Sequence, residues 1–173
     1  MAMADLAWTE RISHDGSRPR DRREVELVLS YWEGRLDKFG GELTVAALDL
    51  GRIANRDWSN RFLIAVDPMV ERSSLVLYGP QFAQLLHLPE QARGSVPMMR
   101  QLPRRYTDVF LRGCRAIQQE AQPVRLEGEV ERYDGKIEQY RVVLIPIGVK
   151  PNSLTCFAFG AFNRRTVEMH AAA

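Results

Sequence analysis

The chain has 173 residues, about the size of one domain and long enough to bury a core without disulfides or metals. Its 24 basic and 22 acidic side chains give a net charge of +2, which argues against a nucleic-acid partner. With two cysteines, no CxxC pair and no membrane-length apolar run, we expect no metal site and no membrane partner. The cytoplasm is then the default compartment. Arginine greatly outnumbers lysine, as is typical of a GC-rich bacterial genome.

Residues 1–20 are polar and contain Gly and Pro, which predicts a flexible N-terminal arm. The basic run from Arg18 to Arg23 could contact nucleic acid or an acidic partner, but a solvated tail is the more common role of such a run. Residues 21–41 carry apolar side chains at spacings of three and four, which predicts an amphipathic helix that ends at Gly40-Gly41. Its apolar stripe needs a surface to pack on.

Residues 42–167 are predicted to form one α+β domain, and residues 168–173 a short tail. The segments "RFLIAVDP" and "SSLVLYGP" predict two short strands, and "QFAQLLHLP" predicts a helical turn or two. "PRRYTDVFLRGCRAIQQEA" predicts a long helix, with Pro103 suited to its start and Pro123 preventing its continuation.

The last fifty residues predict three antiparallel strands, the first two joined at Asp134-Gly135. We interpret this dipeptide as a two-residue hairpin loop, which pairs Arg132 with Ile137. The face under the helices, here called the front face, then carries Leu126, Gln139, Arg141 and Val143. The opposite face, the back face, carries Tyr140, Val142 and Leu144. The third strand, "SLTCFAFGAF", is apolar on both sides, so both faces of the sheet need a cover.

The middle helices are predicted to cover the front face. The back face then exposes an aromatic and aliphatic stripe of the kind that marks an interface. The amphipathic helix is predicted to cover this stripe, either within its own chain or from a second copy in a homodimer. The candidate residues of this contact are Val25, Leu29, Trp32, Leu36, Tyr140, Val142, Leu144, Phe157 and Phe159.

Two strands, a group of helices and a three-stranded meander resemble a PAS domain. More narrowly, "LVLSYWEGRL", "FLIAVDP" followed by "LVLYGPQFAQLLHLP", and "YRVVLIPIG" leading into "CFAFGAF" resemble the stand-alone PAS-like proteins of alphaproteobacteria. The resemblance implies a five-stranded antiparallel sheet with helices on one face and the amphipathic helix on the other. It also implies sensing or regulation, without catalysis, through a small molecule or an unidentified signalling protein.

A candidate ligand pocket lies on the predicted front face. There, Arg141 either anchors an anionic or carbonyl ligand or extends its charge to solvent. Small side chains on the third strand either leave a cavity or let a helix pack closely. The candidate pocket residues are Phe82, Tyr106, Phe110, Leu126, Gln139, Arg141, Val143, Cys156, Ala158 and Gly160. The sequence does not identify a cofactor.

Cys114 and His87 are two further candidate cofactor contacts. Cys114-Arg115 resembles the flavin-reactive pair of light-oxygen-voltage domains, but Leu111, Arg112 and Gly113 replace the Gly-x-Asn that such a motif requires. We therefore expect a buried, unreactive thiol. His87 is a possible haem ligand, set against a surface position at a helix end.

Two alternative functions remain open. A small isomerase-like or lyase-like enzyme would use Asp67, Asp108 or Tyr140 in an enclosed pocket. A dimerisation scaffold would have a filled core and no ligand. The leading hypothesis has no catalytic residues and is a PAS-like regulatory module.

Overall fold

The computed structural model describes residues 26–30, 33–34, 59–148 and 156–167. The predictions for the arm, for Val25, Trp32 and Leu36, and for the tail lie outside the described residues. Within them, residues 26–30 and 33–34 are helical, as the periodicity predicts.

Besides these N-terminal helical residues, the described part contains five strands and three α-helices. In chain order they are β1 (Arg61–Val66), a 3-10 turn (Val70–Arg72), β2 (Ser74–Tyr78), α1 (Pro80–Leu86), α2 (Met98–Gln101), α3 (Arg104–Glu120), β3 (Val124–Glu131), β4 (Ile137–Gly148) and β5 (Cys156–Val167). The strands form one antiparallel sheet in the order β2-β1-β5-β4-β3. The predicted α+β, PAS-like class is confirmed. None of the helices among these residues is long and apolar enough to cross a membrane.

Both longer helices end in a left-handed residue that is not glycine. His87 closes α1 with φ 54°, and Ala121 closes α3 with φ 50°. The N–H of Ala121 still donates to the Ile117 carbonyl at 3.0 Å, and the left-handed backbone at Ala121 ends the helix. A Cβ atom destabilises this conformation, and glycine avoids that cost.

Replacing Ala121 with glycine should therefore raise the free energy of unfolding by about 0.5–1 kcal/mol, after allowance for the more flexible unfolded chain. Urea denaturation measures the change. The matched control is Ala116→Gly inside α3, which should instead lose about 1 kcal/mol. Equal losses in both variants would contradict the strain at Ala121.

The β3–β4 hairpin differs from the prediction by one residue. The loop has three residues, Tyr133 to Gly135: the Arg132 N–H donates to the Lys136 carbonyl, and the Gly135 N–H donates to the Arg132 carbonyl. Gly135 has φ 76°, as expected for a turn closed by a left-handed glycine. Ile137 consequently pairs with Glu131, not with Arg132. A one-residue shift moves every β4 side chain to the other face.

The predicted faces of β4 are therefore wrong. Tyr140, Val142 and Leu144 belong to the front-face core, where Val142 pairs with Leu126. Gln139, Arg141 and Val143 lie on the back face. The faces of β5 are as predicted, because Gly160 pairs with Leu144 on the front, and Phe159 pairs with Ile145 on the back. β3 is an edge strand, also as predicted.

Candidate functional site

Aromatic rings pack against one another between the sheet and the helices. Phe62 of β1 lies with its ring centroid 5.0 Å from that of Phe82 in α1 and 5.3 Å from that of Phe110 in α3. Phe162 of β5 lies 5.6 Å from Phe110 and 5.2 Å from Tyr106. All five side chains are fully buried. The tilted and edge-to-face arrangements are those in which aromatic pairs attract.

The small residues of β5 make room for this cluster. A Cβ added at Gly160 would lie 2.6 Å from Cζ of Phe62 and would overlap the Val143 carbonyl oxygen. Phe62 and Gly160 are cross-strand partners, so the ring covers the glycine. The neighbouring Ala158 is also fully buried. At Gly160, therefore, the space on the front face is occupied by a side chain of β1.

The structure brings together only part of the predicted pocket. Seven residues share the front face or the helices over it: Phe82, Tyr106, Phe110, Leu126, Cys156, Ala158 and Gly160. Gln139, Arg141 and Val143 lie on the opposite face and cannot line the same pocket. The Arg141 Nε is 3.3 Å from a carboxylate oxygen of Glu127, so its charge is paired at the back. Gly128 lies under the Tyr140 ring, since a Cβ added there would be 3.1 Å from Cζ of Tyr140.

Part of the back face is apolar and is buried within the single chain. Its buried residues are Leu63, Val143, Ile145, Ile147, Phe159 and Ala161, and the partly buried Phe157 also lies on this face. One ion pair connects the helical residues 26–30 to this face. Glu26 forms a 3.2 Å ion pair with Arg125, which pairs with Val143 on the back of β3, and Val28 and Leu29 are buried.

The possible cofactor contacts differ in their burial. Cys114 is buried in α3, and burial raises the pKa of its thiol to about 12, so the thiolate is scarce at neutral pH. Burial also raises the pKa of Cys156. His87 is exposed at the end of α1, which is the surface position set against haem ligation in the sequence analysis. Among the described residues, no group of three or more His, Cys, Asp or Glu side chains could hold a metal ion.

The three candidate catalytic residues do not converge. Asp67 accepts a hydrogen bond from the Met69 N–H at 2.8 Å, a turn role. Asp108 is exposed on α3. Tyr140 is buried under α3, and its hydroxyl accepts a hydrogen bond from Arg112 at 3.3 Å. No pair of these groups forms a general acid and base in one cleft.

The most unusual group on the front face is Glu138, the second residue of β4, which is fully buried. One carboxylate oxygen accepts hydrogen bonds from the Tyr106 hydroxyl at 2.6 Å and from Arg105 Nε at 3.0 Å. The other accepts one from Arg164 at 2.7 Å and lies 3.6 Å from an Arg132 nitrogen. This set of Glu138, Tyr106, Arg105, Arg132 and Arg164 is called the Glu138 cluster below.

The charges of the cluster determine its protonation. Burial by itself would raise the pKa of Glu138, but the hydrogen bonds from Tyr106 and Arg105 and the charge of Arg164 outweigh burial and lower it. Burial and the bond to Glu138 raise the pKa of Tyr106, so its hydroxyl stays protonated and donates. At neutral pH the cluster therefore holds an ionised carboxylate among three guanidiniums.

The Glu138 cluster was missed at the sequence level because of the hairpin register. With the three-residue loop, Glu138 pairs with Val130 and faces inward. One signal in the sequence pointed to part of the cluster. Tyr106 precedes the apolar residues Val109 and Phe110 by three and four positions, which places it on the buried side of α3.

No protein-family model and no curated protein matches the sequence. Among solved structures, the chain is similar to a LOV protein of Rhodobacter sphaeroides, at 13% identity and a TM-score of 0.43 over 65% of this chain and 62% of that one. It is also similar to a PAS domain from Colwellia psychrerythraea (12% identity, TM-score 0.42, 64% of this chain and 92% of that one). A fungal LOV-domain photoreceptor gives 20% identity and a TM-score of 0.40 over 74% and 99%.

The chain spans less than two thirds of the length of the Rhodobacter protein. The first two strands and the three-stranded meander form a single antiparallel sheet. The helices between them in the chain lie on its front face. This arrangement, rather than likeness to any one of those chains, makes the fold PAS-like.

Proposed function

We propose that the protein is a non-catalytic PAS-like regulatory module that acts through protein contacts at the back face of its sheet. The partner is a second copy of the chain or a signalling protein that competes with the N-terminal helical segment. The observation that carries the proposal is an apolar back face connected by an ion pair to a short helix within the same chain.

The packing of the front face supports contacts with proteins rather than a ligand in the core. Phe62, Phe82 and Phe110 are in close contact in the layer between the sheet and the helices, where a small molecule would lie. A ligand there would have to displace rings that are already in close contact, at a cost of several kcal/mol for each ring moved out of the core.

The proposed cover of the back face is the helical segment that contains Glu26, Val28 and Leu29, and we infer that it can be exchanged. The ion pair between Glu26 and Arg125 is partly exposed and contributes about 1 kcal/mol or less. Burial of Val28 and Leu29 contributes about 1.5–3 kcal/mol for each side chain. A partner that offers an equivalent apolar stripe could replace such a segment, and this replacement would be the switch.

The double variant Val28→Asp, Leu29→Asp should uncover the back face. We expect several-fold higher binding of a hydrophobic fluorescent dye and a larger molar mass by light scattering, because the exposed stripe self-associates. The matched control is Leu27→Asp, since Leu27 is 47% exposed and its replacement should leave both measurements as in the unmodified chain. Unchanged dye binding and mass in the double variant would contradict the proposed cover.

A further inference from the structure

Three arginines from separate elements converge on Glu138 near the β3–β4 hairpin. Arg105 belongs to α3, Arg132 to the end of the hairpin and Arg164 to β5. Their nearest nitrogens lie 3.0, 3.6 and 2.7 Å from the carboxylate oxygens of Glu138. Arg164 is fixed further by a hydrogen bond from its Nε to the Leu85 carbonyl at 2.7 Å. The guanidiniums are therefore held in place by the fold.

Positive charge exceeds negative charge at this position. The three guanidiniums carry +3, and the two carboxylates paired with them, Glu138 and Asp134, carry −2, which leaves +1. Asp134 lies on the hairpin loop and pairs with Arg132 at 3.2 Å. Like charges held this close repel one another in a partly desolvated site, so an additional anion beside them is stabilising.

Hydrogen-bonding capacity is also left over. The Arg132 Nε is shielded from solvent, and it has no hydrogen-bond partner within the part of the chain that the structure describes. A buried donor without a partner costs about 1–3 kcal/mol, which a small movement toward an acceptor would recover. The side chains of Arg105 and Arg132 are 22% and 25% exposed, so a ligand can reach them from solvent.

We propose that Arg105, Arg132 and Arg164 form a binding site for a small oxyanion, a carboxylate or a phosphate group. Guanidinium groups bind both through paired N–H donors. Glu138 is a positioning residue, because it orients the three side chains and so reduces the entropy that a ligand must overcome. The site lies on the front side of the sheet and does not depend on the contacts proposed for the back face.

The test uses the full chain and two probes, inorganic phosphate and acetate, titrated at constant ionic strength against chloride and followed by NMR. We expect saturable shifts of residues around Arg132, and at least a tenfold rise of Kd in Arg132→Gln. Saturation by phosphate alone identifies a phosphate site, whereas comparable saturation by acetate identifies a carboxylate site; both support the proposal. Arg132→Lys, which keeps the charge but loses the planar fork, should give an intermediate loss.

Arg141→Gln is the matched control, because Arg141 also pairs with a carboxylate but lies on the back face. Its Kd should be unchanged, and circular dichroism should show that every variant is folded. The proposal is overturned if neither probe gives saturable shifts, or if Arg141→Gln loses as much affinity as Arg132→Gln.

Discussion

Replacing Glu138 with glutamine is expected to lower the free energy of unfolding by about 3–5 kcal/mol, as is typical when one partner of a buried ion pair is removed. The carboxylate is fully buried and is bonded to Tyr106, Arg105 and Arg164 at 3.0 Å or less. Glutamine keeps the volume but leaves these guanidiniums without their shared anion. Its amide NH₂ group also places N–H donors opposite the N–H donors of the arginines. Urea denaturation at neutral pH measures the loss.

The matched control is Glu127→Gln on the back of β3. Glu127 also pairs with an arginine, Arg141 at 3.3 Å, but its side chain is 48% exposed. Solvent screening limits such a pair to about 1 kcal/mol or less. If both variants lost the same free energy, burial would not be the reason for the importance of Glu138.

The contribution of Glu138 should also depend on pH in a defined direction. Its pKa is lowered in the folded chain, so the carboxylate stabilises the fold above its unfolded pKa of about 4.3. This stabilisation is lost as the pH falls through the folded pKa. The difference in unfolding free energy between the unmodified chain and Glu138→Gln should therefore stay constant from about pH 7 to pH 5 and shrink below about pH 4.

The elements of the fold could be predicted because their signals are local. The segment "RFLIAV" is a strand with turn residues after it, and Pro103 precedes an apolar stripe that continues to Ile117. Two-sided burial of β5 was also predictable, since "CFAFGAF" has no polar side and must be covered twice. Such patterns do not depend on which distant residues they pack against.

The register of β4 was not predictable from its alternation. Tyr140, Val142 and Leu144 on one side are as apolar as Val143, Ile145 and Ile147 on the other, so either set could face the helices. The segment Tyr133-Asp134-Gly135 is compatible with a two-residue or a three-residue loop, because both use the glycine. The choice depends on packing across the whole sheet.

The Glu138 cluster follows from that choice and from contacts between distant parts of the chain. Arg105 and Arg164 are 33 and 26 residues from Glu138 along the chain. Neither arginine is flanked in the sequence by residues that would distinguish it from the many exposed arginines. Only the completed sheet, with β5 beside β4 and α3 across the front, brings these charges onto one carboxylate.

Replacing Gly160 with alanine is the second change expected to be costly, at about 3 kcal/mol or more. The added methyl group would overlap the carbonyl oxygen of Val143 and lie 2.6 Å from Cζ of Phe62. The ring could tilt, but the carbonyl belongs to the β4 backbone next to the β4–β5 pairing and cannot move independently. Thermal and urea unfolding both measure the loss.

Two further variants separate overpacking from a general effect of alanine. Gly94→Ala should change stability by less than about 0.5 kcal/mol, because no atom lies within 4 Å of the added Cβ. Phe62→Leu should fail to rescue Gly160→Ala, since it relieves the contact with the ring but not the contact with the backbone. If Gly160→Ala were as stable as the unmodified chain, the space at β5 would be open, and a small molecule could then lie where Phe62 is now placed.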